Sequence, residues 1–231
     1  MAVARTYAVA LVGVEGHVVE VEADLALGLP GLTVTGLPDA ALAEARDRVR
    51  AAVVNSGEAW PPRRITLALS PAWLPKKGSG FDVALAVAVL AAAGKVPLAA
   101  LAGLVLLGEL GLDGRVRPVR GVLPAVLTAV GSGFDRVVVP VDNLAEASLV
   151  PDVRATGVRT LRGLVALLRG EQPDEEPAGS TVAPEEPPSL DLIDVAGQVP
   201  GRTAVEVAAA GGHHLLLLGP PGSGKTMLAE R

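Results

Sequence analysis

The feature that most constrains the fold is a glycine-rich segment near the C-terminal end of the chain. From Gly219 to Thr226 the residues GPPGSGKT fill the pattern G-x-x-x-x-G-K-[ST], the phosphate-binding loop known as Walker A. The apolar run Leu215–Leu218 precedes it and the helix-forming run Met227–Arg231 follows it. Glycines suit such a loop because backbone N–H groups must turn inward around phosphate oxygens, often at positive φ. The sequence therefore predicts a strand, a phosphate-binding loop and a helix, in that order.

The residue types in this loop predict ATP as the ligand and Mg²⁺ as its companion ion. Lys225 is expected to reach the β- and γ-phosphates, and Thr226 to place its hydroxyl on Mg²⁺ at the start of the helix. A chance match in a surface turn is the alternative, and the flanking strand and helix patterns argue against it. No catalytic residue is predicted. The predicted ATP-binding residues are Gly219, Pro220, Pro221, Gly222, Ser223, Gly224, Lys225 and Thr226.

A change in composition divides the chain before this loop. Residues 170–189 (GEQPDEEPAGSTVAPEEPPS) contain five prolines and six acidic residues with almost no large apolar side chain. Such a segment cannot bury a core, so we interpret it as an exposed, semi-extended linker. It separates a predicted domain at residues 1–169 from the start of a second domain at residues 190–231.

The charge of the chain is concentrated in that linker. The net charge is −5, but residues 1–169 carry 17 lysines and arginines against 15 acidic residues. The predicted first domain is therefore close to neutral and carries no electrostatic footprint for nucleic acid. Within it, Arg46, Arg48 and Arg50 are expected to form a solvated helix face paired with Glu44 and Asp47.

Periodicity in residues 1–169 predicts a mixture of strands and helices. The hairpin at the front favours an α+β layer over a doubly wound sheet. The predicted strands are Tyr7–Gly13, His17–Leu25, Gly31–Gly36, Arg64–Ser70, Leu104–Glu109, Arg115–Val119, Arg136–Pro140 and Val153–Gly157. The predicted helices are Ala40–Asn55, Phe81–Ala93, Val122–Val130 and Leu161–Arg169, with a further one over Arg202–Ala210 beyond the linker.

Several classes of protein are disfavoured by what the chain contains. Thr6–Val14 runs into charged residues without a cleavage site, and Gly94, Lys95 and Pro97 interrupt the apolar stretch Val83–Leu107. Neither stretch offers the roughly 20 apolar residues of a membrane span, so we expect a cytoplasmic protein without membrane association. The chain has no cysteine, which excludes thiol catalysis and Cys-ligated zinc, and the spacing of its three histidines predicts no metal site.

Three blocks of sequence together resemble the magnesium-chelatase-like AAA+ ATPases of the YifB/ComM type. They are DLIDVAGQ (Asp191–Gln198), AAAGGHHLLLLGPPGSGKTMLAER (residues 208–231) and LPDAALAEARDRVRAAVVNSG (residues 37–57). The resemblance runs over the whole chain. It implies that the first domain has a fold similar to ribosomal protein S5 domain 2 and to the Lon protease domain. It also implies an ATP-driven homo-hexamer when full length, acting on branched DNA in transformation and recombination, with DNA bound through regions outside this chain.

The similarity to Lon allows a comparison of catalytic positions. PKKGSGFD (Pro75–Asp82) resembles the Lon segment that carries the nucleophilic serine, and Gly80 stands at the position of that serine. GRVRPVRGVLPAVL (Gly114–Leu127) resembles the segment that carries the catalytic lysine, and Leu123 stands there. The resemblance therefore implies a catalytically silent domain.

A shifted serine–lysine dyad is the alternative to a silent domain. Ser79 is one residue away from the expected position, and Lys76 and Lys77 are close to it in sequence. Such a dyad needs a lysine that is desolvated, neutral and within hydrogen-bond reach of the hydroxyl. We expect both lysines to be solvated on their glycine-rich loop, which argues against peptidase activity.

The sequence thus predicts an α+β, Lon-like first domain, a linker and an incomplete P-loop α/β ATPase segment that ends just after Thr226. Phosphoryl transfer also needs groups that hold Mg²⁺ and orient water, and no such motif follows the loop. We therefore expect this chain to be a fragment that does not turn over ATP alone. Two other functions remain open: a non-enzymatic binding or assembly module formed by residues 1–169, and a residual serine peptidase.

Overall fold

A computed structural model describes residues 3–36, 40–76, 78–172 and 191–231. The chain separates into two compact units, Met1–Glu175 and Glu176–Arg231. Apart from residues 170–172, the predicted linker lies outside the described residues.

A mixed sheet forms the centre of the first unit. Its strands are β1 (Ala4–Val12), β2 (Glu15–Ala26), β3 (Gly31–Thr35), β4 (Arg64–Ser70), β5 (Leu104–Leu106), β8 (Arg136–Pro140) and β9 (Arg154–Val158). Two further strands, β6 (Glu109–Leu110) and β7 (Val116–Arg117), form a separate hairpin. Among the described residues, seven strands pair in the order β3-β4-β2-β1-β5-β8-β9. The β1–β2 and β2–β4 pairs are antiparallel and the other four pairs are parallel. The mixed α and β architecture predicted from the sequence is confirmed.

Helices cover both faces of this sheet. They are α1 (Ala40–Asn55), α2 (Asp82–Ala92), α3 (Val122–Gly131), α4 (Leu144–Ala147) and α5 (Leu161–Arg169). Side chains alternate along a strand, so Ala4 and Ala8 of β1 pack in one apolar cluster with α2, whereas Val9 packs in a second cluster with α3. The small alanines of β1 leave room for α2, whose residues Asp82–Ala91 are all buried.

The apolar α2 is a core helix. It is apolar on every side because it lies between α1 and the sheet, as expected for a helix surrounded by protein. Its 11 residues are too few to cross a membrane, and no helix in the described part of the chain is long and apolar enough to do so.

One predicted strand is divided by a glycine. Leu104–Glu109 was expected to be continuous, but β5 ends at Leu106 and β6 (Glu109–Leu110) pairs with β7 (Val116–Arg117) instead. Gly108 lies between them with φ +149°, and its N–H donates to the carbonyl of Gly80 at 3.2 Å. This turn ties the end of β5 to the loop that enters α2.

The second unit contains α6 (Val199–Gly211) and α7 (Lys225–Glu230). The predicted strand Leu215–Leu218 is absent from the described residues of this unit, and Leu218 keeps 84% of its surface exposed. A strand requires a neighbour that pairs with its backbone groups, and residues 191–231 as described supply none. Helix α6 begins three residues earlier than predicted, because Pro200 lacks the N–H that the first turn of a helix leaves unused.

Candidate functional site

The predicted phosphate-binding loop connects Gly219 to the first turn of α7. Gly222 and Gly224 adopt φ values of +81° and +80°, in the left-handed region that glycine enters without steric cost. A Cβ added at Gly219 would lie 2.8 Å from Oγ of Ser223, so a larger residue there would have to displace the serine side chain. Gly222 and Gly224 therefore serve the backbone path of the loop.

Lys225 bends back over the loop that precedes it. Its Nζ donates to the carbonyl oxygens of Gly219 (2.9 Å) and Pro220 (2.8 Å) and to Oγ of Ser223 (3.3 Å). These three oxygens hold the ammonium group against the loop, where a bound phosphate would compete for it. Because the side chain is only partly buried, the ammonium can exchange these acceptors for a ligand.

The remaining predicted residues of the loop are exposed. Pro220 accepts a hydrogen bond from the N–H of Ser223 at 3.3 Å, and Pro221 is exposed. Thr226 is the second residue of α7 and its side chain is exposed. Leu228 is buried and anchors α7 against α6, where a Cβ at Gly201 would lie 2.9 Å from its Cδ1.

Gln198 also contacts the loop, and the sequence pattern did not single it out. Its side-chain Nε2 donates to the carbonyl oxygen of Ser223 at 2.9 Å, across 25 residues of chain. It precedes α6 with φ +49°, an uncommon value for a residue other than glycine. The only sequence signal was its place at the end of the DLIDVAGQ block, and no spacing rule links it to the loop.

A second candidate site is a cleft of about 420 Å³ in the first unit. It lies where the two Lon-like segments meet, because Gly80 and Val122 both line it. Leu123 itself is half-buried in the cluster around α3, and its N–H donates to Glu146 Oε1 at 2.9 Å. The fold therefore brings together the two segments that were aligned with Lon, with an apolar side chain in place of the lysine.

Among the residues that the structure describes, no lysine pairs with Ser79 in this cleft. Oγ of Ser79 donates to Oε2 of Glu109, whose other oxygen lies 3.8 Å from Nη1 of Arg117. Ser79 is thus paired with a carboxylate, and that carboxylate lies near an arginine. Lys77 lies outside the described residues.

Lys76 is buried, and the prediction that it would be solvated is wrong. Its Nζ donates to the carbonyl oxygens of Gly36 (2.8 Å), Leu69 (3.3 Å) and Pro71. Burial lowers the pKa of Lys76 from its ordinary value. The ammonium joins the end of β3, the end of β4 and the following loop, so its role is structural. The sequence could not show this, because the acceptors are backbone carbonyls distant from the lysine in the chain.

Arg48 is also placed differently from the prediction. Its Nε and Nη2 donate to the two carboxylate oxygens of Asp82 at 3.0 and 3.2 Å, and the N–H of Leu110 donates to the same carboxylate at 3.2 Å. The Asp82 side chain is fully buried, whereas Arg46 and Arg50 are exposed as expected. Burial raises the pKa of Asp82, and the guanidinium of Arg48 opposes this effect.

Two family models match this chain. One, described as subunit ChlI of Mg-chelatase, matches residues 21–143, and the other, described as magnesium chelatase, subunit ChlI, matches residues 191–231. The first match covers most of the residues that line the cleft, but not Val9 and Leu11 of β1, and the second covers the whole described part of the second unit.

Curated relatives extend the similarity over the whole chain. An uncharacterized protein of Mycobacterium tuberculosis is 59% identical over all of this chain and 46% of its own length. The competence protein ComM of Haemophilus influenzae is 40% identical over all of this chain and 46% of its own length. A Lon protease of Rhizobium meliloti is 29% identical over 80% of this chain and 24% of its own length. The chain spans about half the length of the first two relatives.

Proposed function

Because this chain belongs to the magnesium chelatase ChlI family, we propose that its second unit binds ATP through the loop from Gly219 to Thr226. The observation that carries the proposal is the position of Lys225, whose ammonium lies on three oxygens of the loop itself. A cation held there by weak neutral acceptors is available to the β- and γ-phosphates, which are stronger, charged acceptors.

The residues present fit a nucleotide with Mg²⁺. The positive φ values of Gly222 and Gly224 turn the backbone as a phosphate cradle requires, and a Cβ at Gly219 would crowd the Ser223 side chain of the same loop. Thr226, exposed at the start of α7, would supply a hydroxyl ligand to Mg²⁺. The bound ion would supply charge neutralisation between the phosphates, and the chain's part is to hold and orient the triphosphate.

The biological role follows from the family relationship. We infer that a full-length protein of this kind is an ATP-driven motor, assembled as a ring of six copies, that acts on branched DNA in transformation and recombination. The name of the relative ComM, a competence protein, supports a role in competence. Turnover requires groups that hold Mg²⁺ and orient the attacking water in addition to the loop, so we propose that these 231 residues bind ATP without hydrolysing it.

A binding role for the first unit is the second candidate. The cleft beside Ser79 favours it, because its walls are mostly apolar and Glu109 and Arg120 place opposite charges in its lining. Peptidase activity has less support, since Ser79 is bound to Glu109 and the described lysine beside it, Lys76, is bound to three carbonyl oxygens. A serine–lysine dyad requires a neutral lysine beside the hydroxyl, and Lys76 does not occupy that place.

Calorimetric titration of the 231-residue chain with Mg-ATP tests the proposal. We expect wild type to bind and Lys225→Ala to bind at least about tenfold more weakly, because a charge-assisted contact to phosphate is lost. Lys95→Ala, an exposed lysine of the first unit, is the matched control and should bind as wild type.

Two outcomes would contradict the proposal. Equal affinity of wild type and Lys225→Ala would remove the loop as the site, and the absence of any binding by wild type would favour the first-unit binding role.

Steady-state ATP hydrolysis by this chain that disappears in Lys225→Ala would contradict the proposed lack of turnover, because it would show that the loop is sufficient for hydrolysis.

A further inference from the structure

The contact between Gln198 and the loop carries a second proposal, which rests on the nucleotide site proposed above. We propose that Gln198 is a positioning residue: its side-chain amide fixes the Ser223–Gly224 peptide so that the Gly224 N–H is presented to the triphosphate. Gln198 itself need not touch the ligand. The observation behind this is the hydrogen bond from Nε2 of Gln198 to the Ser223 carbonyl oxygen, 2.9 Å long.

Peptide planarity turns this hydrogen bond into a constraint on the next residue. In a trans peptide the C=O of one residue and the N–H of the following residue point in opposite directions. Holding the Ser223 carbonyl toward Gln198 therefore directs the Gly224 N–H away from Gln198. A glycine with φ +80° would otherwise leave this peptide free to rotate, because it has no Cβ that restricts its conformation.

Close packing supports the same assignment. A Cβ at Gly224 would lie 2.5 Å from Nε2 of Gln198, so the glutamine occupies the space beside this glycine. The left-handed backbone favours glycine at this position, and any larger residue would displace the glutamine amide from its place beside the loop. Gln198 itself adopts a left-handed φ of +49°, which is unfavourable for a residue with a side chain. This conformation places its side chain at the start of α6, within reach of the loop.

If Gln198 positions the loop, its effect on phosphate binding should not depend on the adenine base of the ligand. If Gln198 orients a backbone donor of the loop, its loss weakens ATP and inorganic tripolyphosphate to the same extent. If it contacted the adenine instead, only ATP would be affected. A residue that only stabilised the second unit would loosen α6 as well as the loop.

Two variants separate the side chain from the backbone. Gln198→Met keeps the length of the side chain and removes the donor, whereas Gln198→Gly also relieves the left-handed backbone. Glu206→Met, at an exposed position of α6, the helix that Gln198 precedes, is the matched control. The measurements are the affinities of the whole chain for Mg-ATP and for Mg-tripolyphosphate, and amide hydrogen exchange of residues 199–211 and 219–226 without ligand.

We expect both Gln198 variants to bind both ligands about tenfold more weakly, the loss expected for one hydrogen bond. Exchange should become faster in residues 219–226 and stay unchanged in residues 199–211. The control should behave as wild type in every measurement.

Three results overturn the inference: unchanged affinity in both variants, a loss confined to ATP, or faster exchange throughout α6. Wild-type affinity in Gln198→Gly but not in Gln198→Met would also overturn it, because the backbone conformation at residue 198, rather than the side-chain amide, would then determine binding. A wild type that binds neither ligand overturns the proposed function. Unliganded exchange still tests Gln198 in that case, since identical exchange of residues 219–226 in wild type and Gln198→Met overturns the inference by itself.

Discussion

The two glycine-rich loops of this chain use the same residue types in opposite ways. Residues 75–82 (PKKGSGFD) and residues 219–226 (GPPGSGKT) share Gly-Ser-Gly and precede a helix. In each loop a lysine ammonium donates to three oxygens: Lys76 to three backbone carbonyls, and Lys225 to two carbonyls and a hydroxyl. Lys76 is fully buried, whereas Lys225 is partly exposed.

The two loops also differ in the residue at which the following helix begins. Helix α2 begins with Asp82, a buried carboxylate that is paired with Arg48. Helix α7 begins with Lys225. The first loop therefore leads into a fully buried carboxylate that is paired with a partly buried arginine, whereas the second leads into a cation that a ligand can reach. A lysine in a glycine-rich loop serves stability or ligand binding according to whether its acceptors are buried with it.

Breaking the buried ion pair should have the largest effect. Arg48→Met leaves Asp82 without its cation, and removing one partner of a buried pair costs about 3–5 kcal/mol in the free energy of unfolding. Urea unfolding followed by tryptophan fluorescence measures it, because Trp60 and Trp73 both belong to the first unit. Arg46→Met, at an exposed position of the same helix, should change this free energy by less than about 0.5 kcal/mol.

The pH dependence of the same variant has a definite sign. Burial raises the pKa of Asp82, and in Arg48→Met the cation that opposes this effect is gone. The folded state then holds a proton that the unfolded state has released above its pKa of about 3.9, so stability falls as pH rises. The deficit relative to wild type should be larger at neutral pH than near pH 4. A deficit that grows on acidification would contradict the assignment.

Removing the buried ammonium should have the next largest effect. Lys76→Met leaves three carbonyl oxygens without their donor, and we expect a loss of about 2–4 kcal/mol in the free energy of unfolding. The same fluorescence measurement applies, with Lys95→Met as the exposed control. A loss as small as that of the control would show that the carbonyls find other partners and that Lys76 is not structural.

Ser79→Ala should have a smaller effect of about 1 kcal/mol, since one hydrogen bond to a half-buried carboxylate is lost. An active-site serine probe such as a fluorophosphonate should label neither wild type nor the variant. Labelling of wild type that vanishes in Ser79→Ala would show that the Ser79–Glu109 pair activates the hydroxyl and would restore the peptidase hypothesis.

The smallest effect on stability is expected at the other lysine. Lys225→Ala removes a partly exposed ammonium, so opening of the unliganded second unit should change by less than about 0.5 kcal/mol. The second unit contains no tryptophan, and amide exchange of residues 199–211 is the suitable measurement. A destabilisation as large as that of Lys76→Met would remove the distinction between the two loops.

Local sequence was sufficient for most of the helices and for the loop path. The helix Ala40–Asn55 and the strand Arg64–Ser70 have the bounds that their periodicity predicted, since each pattern lies within a few turns of chain. Gly222 and Gly224 of the predicted loop likewise adopt left-handed φ values, which glycine enters without steric cost. These features depend on neighbouring residues only.

Contacts between distant residues were beyond the reach of these patterns. The Arg48–Asp82 pair spans 34 residues, the Gln198–Ser223 contact spans 25, and Lys76 meets a carbonyl 40 residues away at Gly36. The predicted strand Leu215–Leu218 failed for the same reason, because a strand exists only when another strand pairs with it. The sequence alone determined the position of most helices and strands and the left-handed glycines of the second loop through local backbone preference. Only the tertiary structure decided which lysine is sealed in the core and which one a ligand can reach, because burial depends on residues far apart in the chain.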